Sequence, residues 1–436
     1  MKVRTAFSTC RLAACVVALG LPASTHAATP SAPETASASP TSAPTPTPVD
    51  QAFSRWLAQF KQDALGEGIG QATLDAALPN DLQPIARVIE LDQRQPEFVD
   101  TFWNYLDRRV DEARVKLGGD KLQEHKKLFR QVQVKYGIPA SILVAFWGLE
   151  THFGRSTGNF PTPAALATLA YDSRRSAFFR GELLHALTIL EQGHLPAADM
   201  KGSWAGAMGQ MQFMPSTFLN HAVDADGDGR KDIWHSLPDA FHSAAHYLRK
   251  AGWHPGEIWG RQVILPNGFN SELARYDLKK PVNYWAGLGI RQASGKPLPS
   301  TSSKQAMSGA LLLPQGRDGP AFLVYRNFDV IMEWNRSINY ALSIGHLADR
   351  LNGQPELQLG RDADNRRMTR DQFMEIQQLL AHLNFDPGEI DGMPGSKTRL
   401  AIRAYQKAVG LPVDGHASAG LLEYLHKARV NGASDL

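Results

Sequence analysis

The chain has 436 residues, 43% of them hydrophobic and 20% charged, enough apolar material for two or three folded units. A net charge of +3 with no Lys/Arg cluster excludes the profile of a nucleic-acid-binding protein. The two cysteines, Cys10 and Cys15, lie near the N-terminus, so the rest of the chain holds no disulfide and no thiolate-bound metal.

Lys2, Arg4 and Arg11 precede an apolar run over 12–21, and small residues follow to Ala27. This is the pattern of a secretory signal peptide over 1–27, cut after Ala27. The run is too short to span a bilayer. Leu12-Ala13-Ala14-Cys15 imitates a lipoprotein box, but its apolar core follows the cysteine, so a lipidated form is not expected. Residues 28–50, rich in Ala, Ser, Thr and Pro, read as a flexible linker. From Gln51 helical patterns dominate. Phe53, Trp56, Leu57 and Phe60 make one stripe, and Phe98, Phe102, Tyr105 and Leu106 another. Helices are predicted over 122–136, 176–192, 239–251 and 330–351. Between them, 260–323 is rich in Gly and Pro with short β-prone runs such as 262–265, a small strand-containing insert. Residues 353–367 read as a second, polar linker. The unit at 368–428 has helical spacing at Phe373, Ile376, Leu379 and Leu380, at Leu400, Ile402, Tyr405 and Gln406, and over 421–426. Its turns Asp391-Gly392 and Asp414-Gly415 suggest an internal duplication. The fold class is mainly α (α+β), with one large unit at 51–352 and a small C-terminal one.

The chemistry centres on Glu150, which ends the apolar run 139–149. Pro139 and Gly154 bracket that run as a helix, and Leu143, Trp147 and Glu150 share one face at i, i+4 and i+7. A carboxyl group held against apolar neighbours keeps its proton near neutral pH, which is what a general acid needs. A second cluster runs from Gly202 to Ser216. Its glycines allow a bulky ligand close to the backbone, Ser203 and Gln212 offer hydrogen bonds, and Pro215 starts another helix.

Glu150-Thr151-x-Phe153-Gly154 followed by Gly206-x-Met208-Gly209-x-x-Gln212-Phe213-Met214-Pro215 resembles the lytic murein transglycosylases. The order and spacing are most similar to the membrane-bound lytic transglycosylase B family, over about 51–351. The resemblance implies a lysozyme-like helical catalytic domain with flanking helical and small β elements. It implies that Glu150 is the single acid/base, protonating the glycosidic oxygen between N-acetylmuramic acid and N-acetylglucosamine and then deprotonating the muramoyl 6-hydroxyl. The product is a 1,6-anhydro end, made without water. Ordinary glycosidases use two carboxylates; here the substrate's acetamido group would stabilise the developing charge. Asp172, Glu182 and Asp199 stay open as a second carboxylate, which would make a hydrolytic muramidase. A non-catalytic wall-binding scaffold is the alternative outside enzymes. By the same resemblance Ser203 steers Glu150 or the acetamido group, Gln212 contacts sugar, and Tyr105, Tyr247, Trp334, Asn335 and Tyr340 wall the cleft. The chain departs from the pattern at Trp334, commonly Tyr, and at His152, where the most similar pattern has Gly.

Asp224-x-Asp226-x-Asp228 with Gly229 at position 6 and Asp232 at position 9 fits an EF-hand-type loop, with Arg230 serving through its carbonyl. His235 at position 12 cannot give the bidentate carboxylate, and the resemblance implies Asp239 instead. The expected metal set is Asp224, Asp226, Asp228, Arg230 and Asp239, holding a structural Ca2+ that the chemistry does not need. A solvated Asp-Gly turn is the alternative. The C-terminal unit, with 385–392, Thr398-Arg399-x-Ala401-Ile402-x-x-Tyr405-Gln406 and 410–415, resembles three-helix peptidoglycan-binding domains. The partner expected from both resemblances is the glycan of peptidoglycan, in the periplasm; peripheral membrane association is left open.

Overall fold

In the computed structural model the described residues are 48–93, 98–172, 175–299, 307–361 and 363–432. The signal peptide expected at 1–27 and most of the linker expected at 28–50 lie outside them. The last linker residues, 48–50, instead open the helix Pro48–Gly66. The described residues fall into two compact units, 48–93 with 150–244, and 98–149 with 245–432.

The first unit is built on the aromatic stripe read from the sequence. Phe53 and Phe60 are buried, and Trp56 stacks between them at 5.7 and 5.5 Å. Helix Thr162–Tyr171 starts with Pro163 in its first turn and buries every residue from Thr162 to Ala170. Four alanines in that stretch leave room for helix Ser176–Glu191, whose Leu183, Ala186 and Leu187 are fully enclosed.

Up to residue 351 the second unit departs from the sequence reading at three places. Phe98 is not helical: Phe98–Val99 is a strand pairing antiparallel with Met368–Thr369. The helix predicted over 122–136 breaks at His125, between Glu112–Glu124 and Lys126–Tyr136. The helix predicted over 330–351 is two, Arg326–Trp334 and Ile338–Leu351. Asn335 turns to extended backbone there, its Oδ1 accepting from the Ser337 N–H at 3.1 Å, and Ser337 then caps the second helix through Tyr340 N. The insert is a five-stranded antiparallel sheet in the order Lys280–Pro281, Ser308–Leu312, Ala321–Val324, Gly260–Ile264, Arg291–Gln292. Trp285, Leu311 and Leu323 fill one of its faces, with the Trp285 indole N–H donating to Gly309 O at 2.9 Å.

The C-terminal part is three helices, Arg370–His382, Ser396–Ala408 and Ala419–Gly432, closed over Ile376, Leu380, Ile402 and Leu425. Its duplication is physical. Gly392 N donates to Gln377 Oε1 at 2.8 Å, and Gly415 N donates to Gln406 Oε1 at 2.9 Å, so each Asp-Gly turn is latched by a buried glutamine. The segment 353–367, read as a linker, is a packed strap. Its Arg361 guanidinium lies 4.2 Å from the Trp103 ring centroid and forks onto Asp107 at 3.0 and 3.1 Å. Trp103 Nε1 donates to Gly360 O at 2.9 Å, and Gln315 Nε2 to Asp364 O at 2.9 Å.

Candidate functional site

Glu150 lies one residue before the end of helix Ala140–Thr151, where the sequence placed it. The helix has no polar face: every residue from Ser141 to Leu149 is buried, Leu143 and Trp147 among them, and Glu150 is half-buried. After Thr151 the chain turns through three consecutive left-handed residues, His152 (φ 50°), Phe153 (φ 59°) and Gly154 (φ 81°). Such backbone costs about 1–2 kcal/mol for each residue with a side chain, so the turn has to be held. A glycine at 152 would adopt this conformation freely, so His152 carries a cost there that a glycine would not.

The holding groups belong to the Gly-rich cluster, in the same compact unit. Thr151 Oγ1 donates to Gln210 O at 2.9 Å and accepts from Gly154 N at 3.0 Å. Gln210 in turn is fixed from the Asp-rich loop, its N–H donating to Ile233 O and its Nε2 to Trp234 O, both at 2.9 Å. Trp234 Nε1 donates to Lys201 O at 2.9 Å. A continuous set of bonds thus runs from the Asp-rich loop through Gln210 to the turn that follows Glu150. Sequence reasoning singled out Gln212 and missed Gln210, although two glutamines bracketing Met211 in a Gly-rich turn were a signal that both side chains have work to do.

Ser203 and Gln212 first of all shape their own loop. Ser203 Oγ accepts from Ala207 N at 3.0 Å, and Gln212, left-handed at φ 50°, donates from Nε2 to Thr157 O and Gly209 O at 3.0 and 3.1 Å. Of the open carboxylates, Glu182 is committed: its two oxygens accept from Ser216 N at 2.9 Å and Ser216 Oγ at 2.6 Å, capping the short helix Pro215–His221. Asp172 caps the end of helix Thr162–Tyr171, and Asp199 is exposed on a 3-10 turn.

The expected wall residues belong to the other unit and are described there. Phe146 is the hub for three of the rings, directly or through Trp334. Trp334 lies 4.5 Å and Tyr340 6.3 Å from it, and Tyr247 meets Trp334 edge-on at 5.1 Å. The Tyr247 hydroxyl donates to Glu333 O at 3.1 Å, and burial pushes its pKa up to about 12, with the Glu333 charge adding to the effect. Asn335 adjoins Trp334 and spends its oxygen on the helix break. Tyr340, at 5% exposure, is largely buried. Tyr105 is half-buried beside Arg109, which lies 5.4 Å from its ring centroid.

In the Asp-rich loop, carboxylate oxygens of Asp224, Asp226 and Asp239 come within 4.8 Å of one another. Asp239 is fully buried and accepts from Ala225 N and Asp232 N, both at 2.7 Å. Its pKa is raised, chiefly by burial, with those two N–H bonds opposing and the Asp226 charge adding. Three converging hard oxygens, one of them on a buried carboxyl, fit a calcium ion. Asp228, a further expected ligand, accepts from Arg230 N at 2.8 Å. His235 Nδ1 sits 3.0 Å from Asp232 Oδ2.

Comparison with known proteins gives this geometry its context. The transglycosylase SLT domain model matches residues 52–349, and the putative peptidoglycan binding domain model matches residues 369–425. Membrane-bound lytic murein transglycosylase B of Escherichia coli (strain K12) is 34% identical over 218 residues, 49% of this chain and 56% of that protein, so the match spans little more than half of that relative. The crystal structure of SltB3 from Pseudomonas aeruginosa in complex with NAG-NAM-pentapeptide superposes with a TM-score of 0.82 at 44% identity, covering 86% of this chain and 99% of that one. The SltB3 complex with NAG-anhNAM-pentapeptide gives 0.80 at 43%, with the same coverage. The Escherichia coli lytic transglycosylase Slt35 in complex with calcium gives 0.58 at 26% identity, covering 68% of this chain and 92% of that one. The mainly helical fold with its small sheet is therefore that of these enzymes, and the chain belongs to the transglycosylase SLT domain family.

Proposed function

We propose that this protein is a peptidoglycan lytic transglycosylase, cutting the β-1,4 bond between N-acetylmuramic acid and N-acetylglucosamine without water. Glu150 donates its proton to the glycosidic oxygen as the C1–O bond breaks, and the muramoyl acetamido group carries the positive charge that develops at C1. The carboxylate then removes the proton of the muramoyl 6-hydroxyl, whose oxygen closes on C1. One bond breaks, one forms, the proton returns to Glu150, and the products are a free 4-hydroxyl and a 1,6-anhydro end. The observation that carries this reading is the placement of one half-buried carboxyl at the end of an all-buried helix, with its exit turn bonded to the Gly-rich loop. The bonds that Glu182, the most buried of the other candidate carboxylates, accepts from Ser216 support the single-carboxylate reading.

Ser203 and Gln212 present the loop to the sugar, Tyr105, Tyr247, Trp334 and Asn335 contribute aromatic and amide contacts, and Ca2+ stiffens the Asp-rich loop. The C-terminal domain binds the wall, and export through the N-terminal signal delivers the protein to the periplasm. Slt35 with calcium and SltB3 with muropeptides support the ion and the ligand class. Mass spectrometry of sacculi digested with the native chain and with Glu150→Gln tests the proposal. Anhydro-ended muropeptides from the native chain and none from the variant are expected. Reducing ends only would make it a muramidase, and no products from either would make it a wall-binding scaffold.

A further inference from the structure

Helix Lys126–Tyr136 carries four cations, Lys126, Lys127, Arg130 and Lys135, and no acidic residue. The chain around it is balanced: its 46 basic residues, less Lys2, Arg4 and Arg11 of the expected signal peptide, equal its 43 acidic ones. Phe129 and Val132 are buried on one side of the helix. Lys127, Arg130, Gln131 and Val134, at i, i+3, i+4 and i+7, therefore centre the outward face, with Lys126 and Lys135 at its edges. All four cations are exposed, and none is ion-paired among the described residues. Lys135 lies 5.3 Å from the Tyr136 ring centroid, and the preceding acid, Glu124, is engaged with Lys121 at 2.6 Å. Helix Ser396–Ala408 has as many cations and no acid, but it uses three of them internally. Lys407 pairs with Glu272, Arg403 donates to the carbonyls of Ser271, Ala274 and Val413, and Arg399 lies in the field of the Asp414 charge.

Helix formation does not ask for this pattern. Lys126 and Lys127 stand in the first turn, where the helix dipole disfavours cations, and His125 offers no side-chain cap to offset them. Lys126 and Arg130, one turn apart, repel each other. A polyanion laid along this face would relieve both effects. We propose that the outward face of this helix is an electrostatic docking surface for peptidoglycan, held by the carboxylates of its stem peptides. Four charges strung over about 14 Å of helix are too dispersed for one small anion and suit carboxylates on successive stems. A lipid surface fits less well, because an interfacial helix lays an apolar side into the bilayer. Here the apolar side is turned into the core, and Val134, 81% exposed, is the one large apolar residue on the outward face. The occupant's identity rests on the peptidoglycan reading above; the unpaired charge of the helix does not.

Co-sedimentation of the full chain with purified sacculi tests this, in a Glu150→Gln background that leaves the sacculus uncut. Adding Lys126→Gln, Lys127→Gln and Arg130→Gln together should weaken binding about tenfold at low salt, the loss of three exposed ion pairs. The gap should close near 1 M salt, where the screening length falls to about 3 Å. Sacculi whose carboxylates have been converted to carboxamides should hold the two chains equally. The melting temperature of the triple variant should hold or rise, because first-turn cations are removed and no internal bond is lost. Equal affinity of the two chains for untreated sacculi, or a gap that survives amidation, would overturn the proposal. So would a gap seen only on vesicles of anionic phospholipid, which would assign the face to a membrane. The lytic reading is checked apart, by the sugar ends: with Glu150 intact, the native chain and the triple variant should both release anhydro ends, whatever their affinities.

Discussion

Gly154→Ala tests whether the turn after Glu150 is as tightly held as the geometry implies. A Cβ at Gly154 would stand 3.2 Å from Gln210 Cδ and closer still to its Oε1. Oε1 ends a flexible side chain, so the clash alone could be relieved. Moving it, however, breaks the bond from Nε2 to Trp234 O, worth about 1 kcal/mol. The backbone adds about 1–2 kcal/mol, because φ is 81° and alanine resists the left-handed region. The sum, about 2–3 kcal/mol, should lower the melting temperature by roughly 5–10 °C for a unit of this size. Activity on sacculi should fall as well, since Gln210 O is the acceptor that fixes Thr151 beside Glu150. The decisive assay is a double-mutant cycle with Gln210→Ala: removing the obstacle should recover about 1 kcal/mol of the Gly154→Ala cost. Strict additivity, with unchanged kcat, would refute the link between the two loops.

Glu182→Gln should destabilise by about 1–2 kcal/mol, by leaving one Ser216 donor facing an amide N–H, yet still release anhydro ends; loss of chemistry with unchanged melting would make Glu182 the second carboxylate. Asp226→Asn should abolish the rise in melting temperature that calcium gives chelator-treated protein, because Asp226 is one of three converging carboxylates and its removal leaves the Asp239 backbone bonds intact. The Asp349 carboxyl is pushed up to about 7 by burial, against the Trp259 indole bond and the Arg261 charge. The folded chain keeps that proton while the unfolded one releases it near 3.8, so this group makes stability fall as pH rises from 3.8 to 7. His346, lowered to about 4 mainly by burial, works the other way: its contribution is lost as pH falls from 6.5 to 4. Asp349→Asn should therefore raise stability above pH 7 by about 2 kcal/mol and steepen the acid limb of a melting-temperature profile; an unchanged profile would show that Asp349 is ionised in the folded chain.

The sequence disclosed what is local. The Glu150 helix, the Gly-rich loop, the paired Asp-Gly turns and most helices follow from spacing within about fifteen residues, which apolar periodicity reads well. The misses come from distant pairing and from polar side chains that do structural work. Phe98 has helical spacing with Phe102, but a partner at residue 369 draws it into a strand. Asn335 and Ser337 looked like part of a continuous helix, yet their side chains satisfy the backbone more cheaply in a break. Gln210 carries no apolar signal, and its role exists only once Ile233, Trp234 and Thr151 are brought round it. The residues 353–367 read as linker because they are polar, but an arginine on a tryptophan face is polar composition that packs.

That last point changes how the C-terminal domain has to act. A flexible segment of this length would let the domain roam with an end-to-end distance of about 20 Å, raising the local concentration of glycan in every direction. A docked domain has no such freedom. Besides the strap, Arg403 donates to Ser271 O at 3.2 Å and Ala274 O at 2.6 Å, Lys407 pairs with Glu272 at 3.0 Å, and the 98–99 strand is hydrogen-bonded to 368–369. A glycan held by such a domain is presented at one offset, so the benefit to catalysis is large if that offset fits the spacing of the wall polymer and absent if it does not. Replacing 353–367 with a Gly/Ser segment of equal length should leave sacculus binding nearly intact while lowering turnover per bound enzyme, because the wall contact survives and the fixed offset does not. Equal turnover with the flexible segment would mean that proximity alone is enough, and that the strap serves stability rather than presentation.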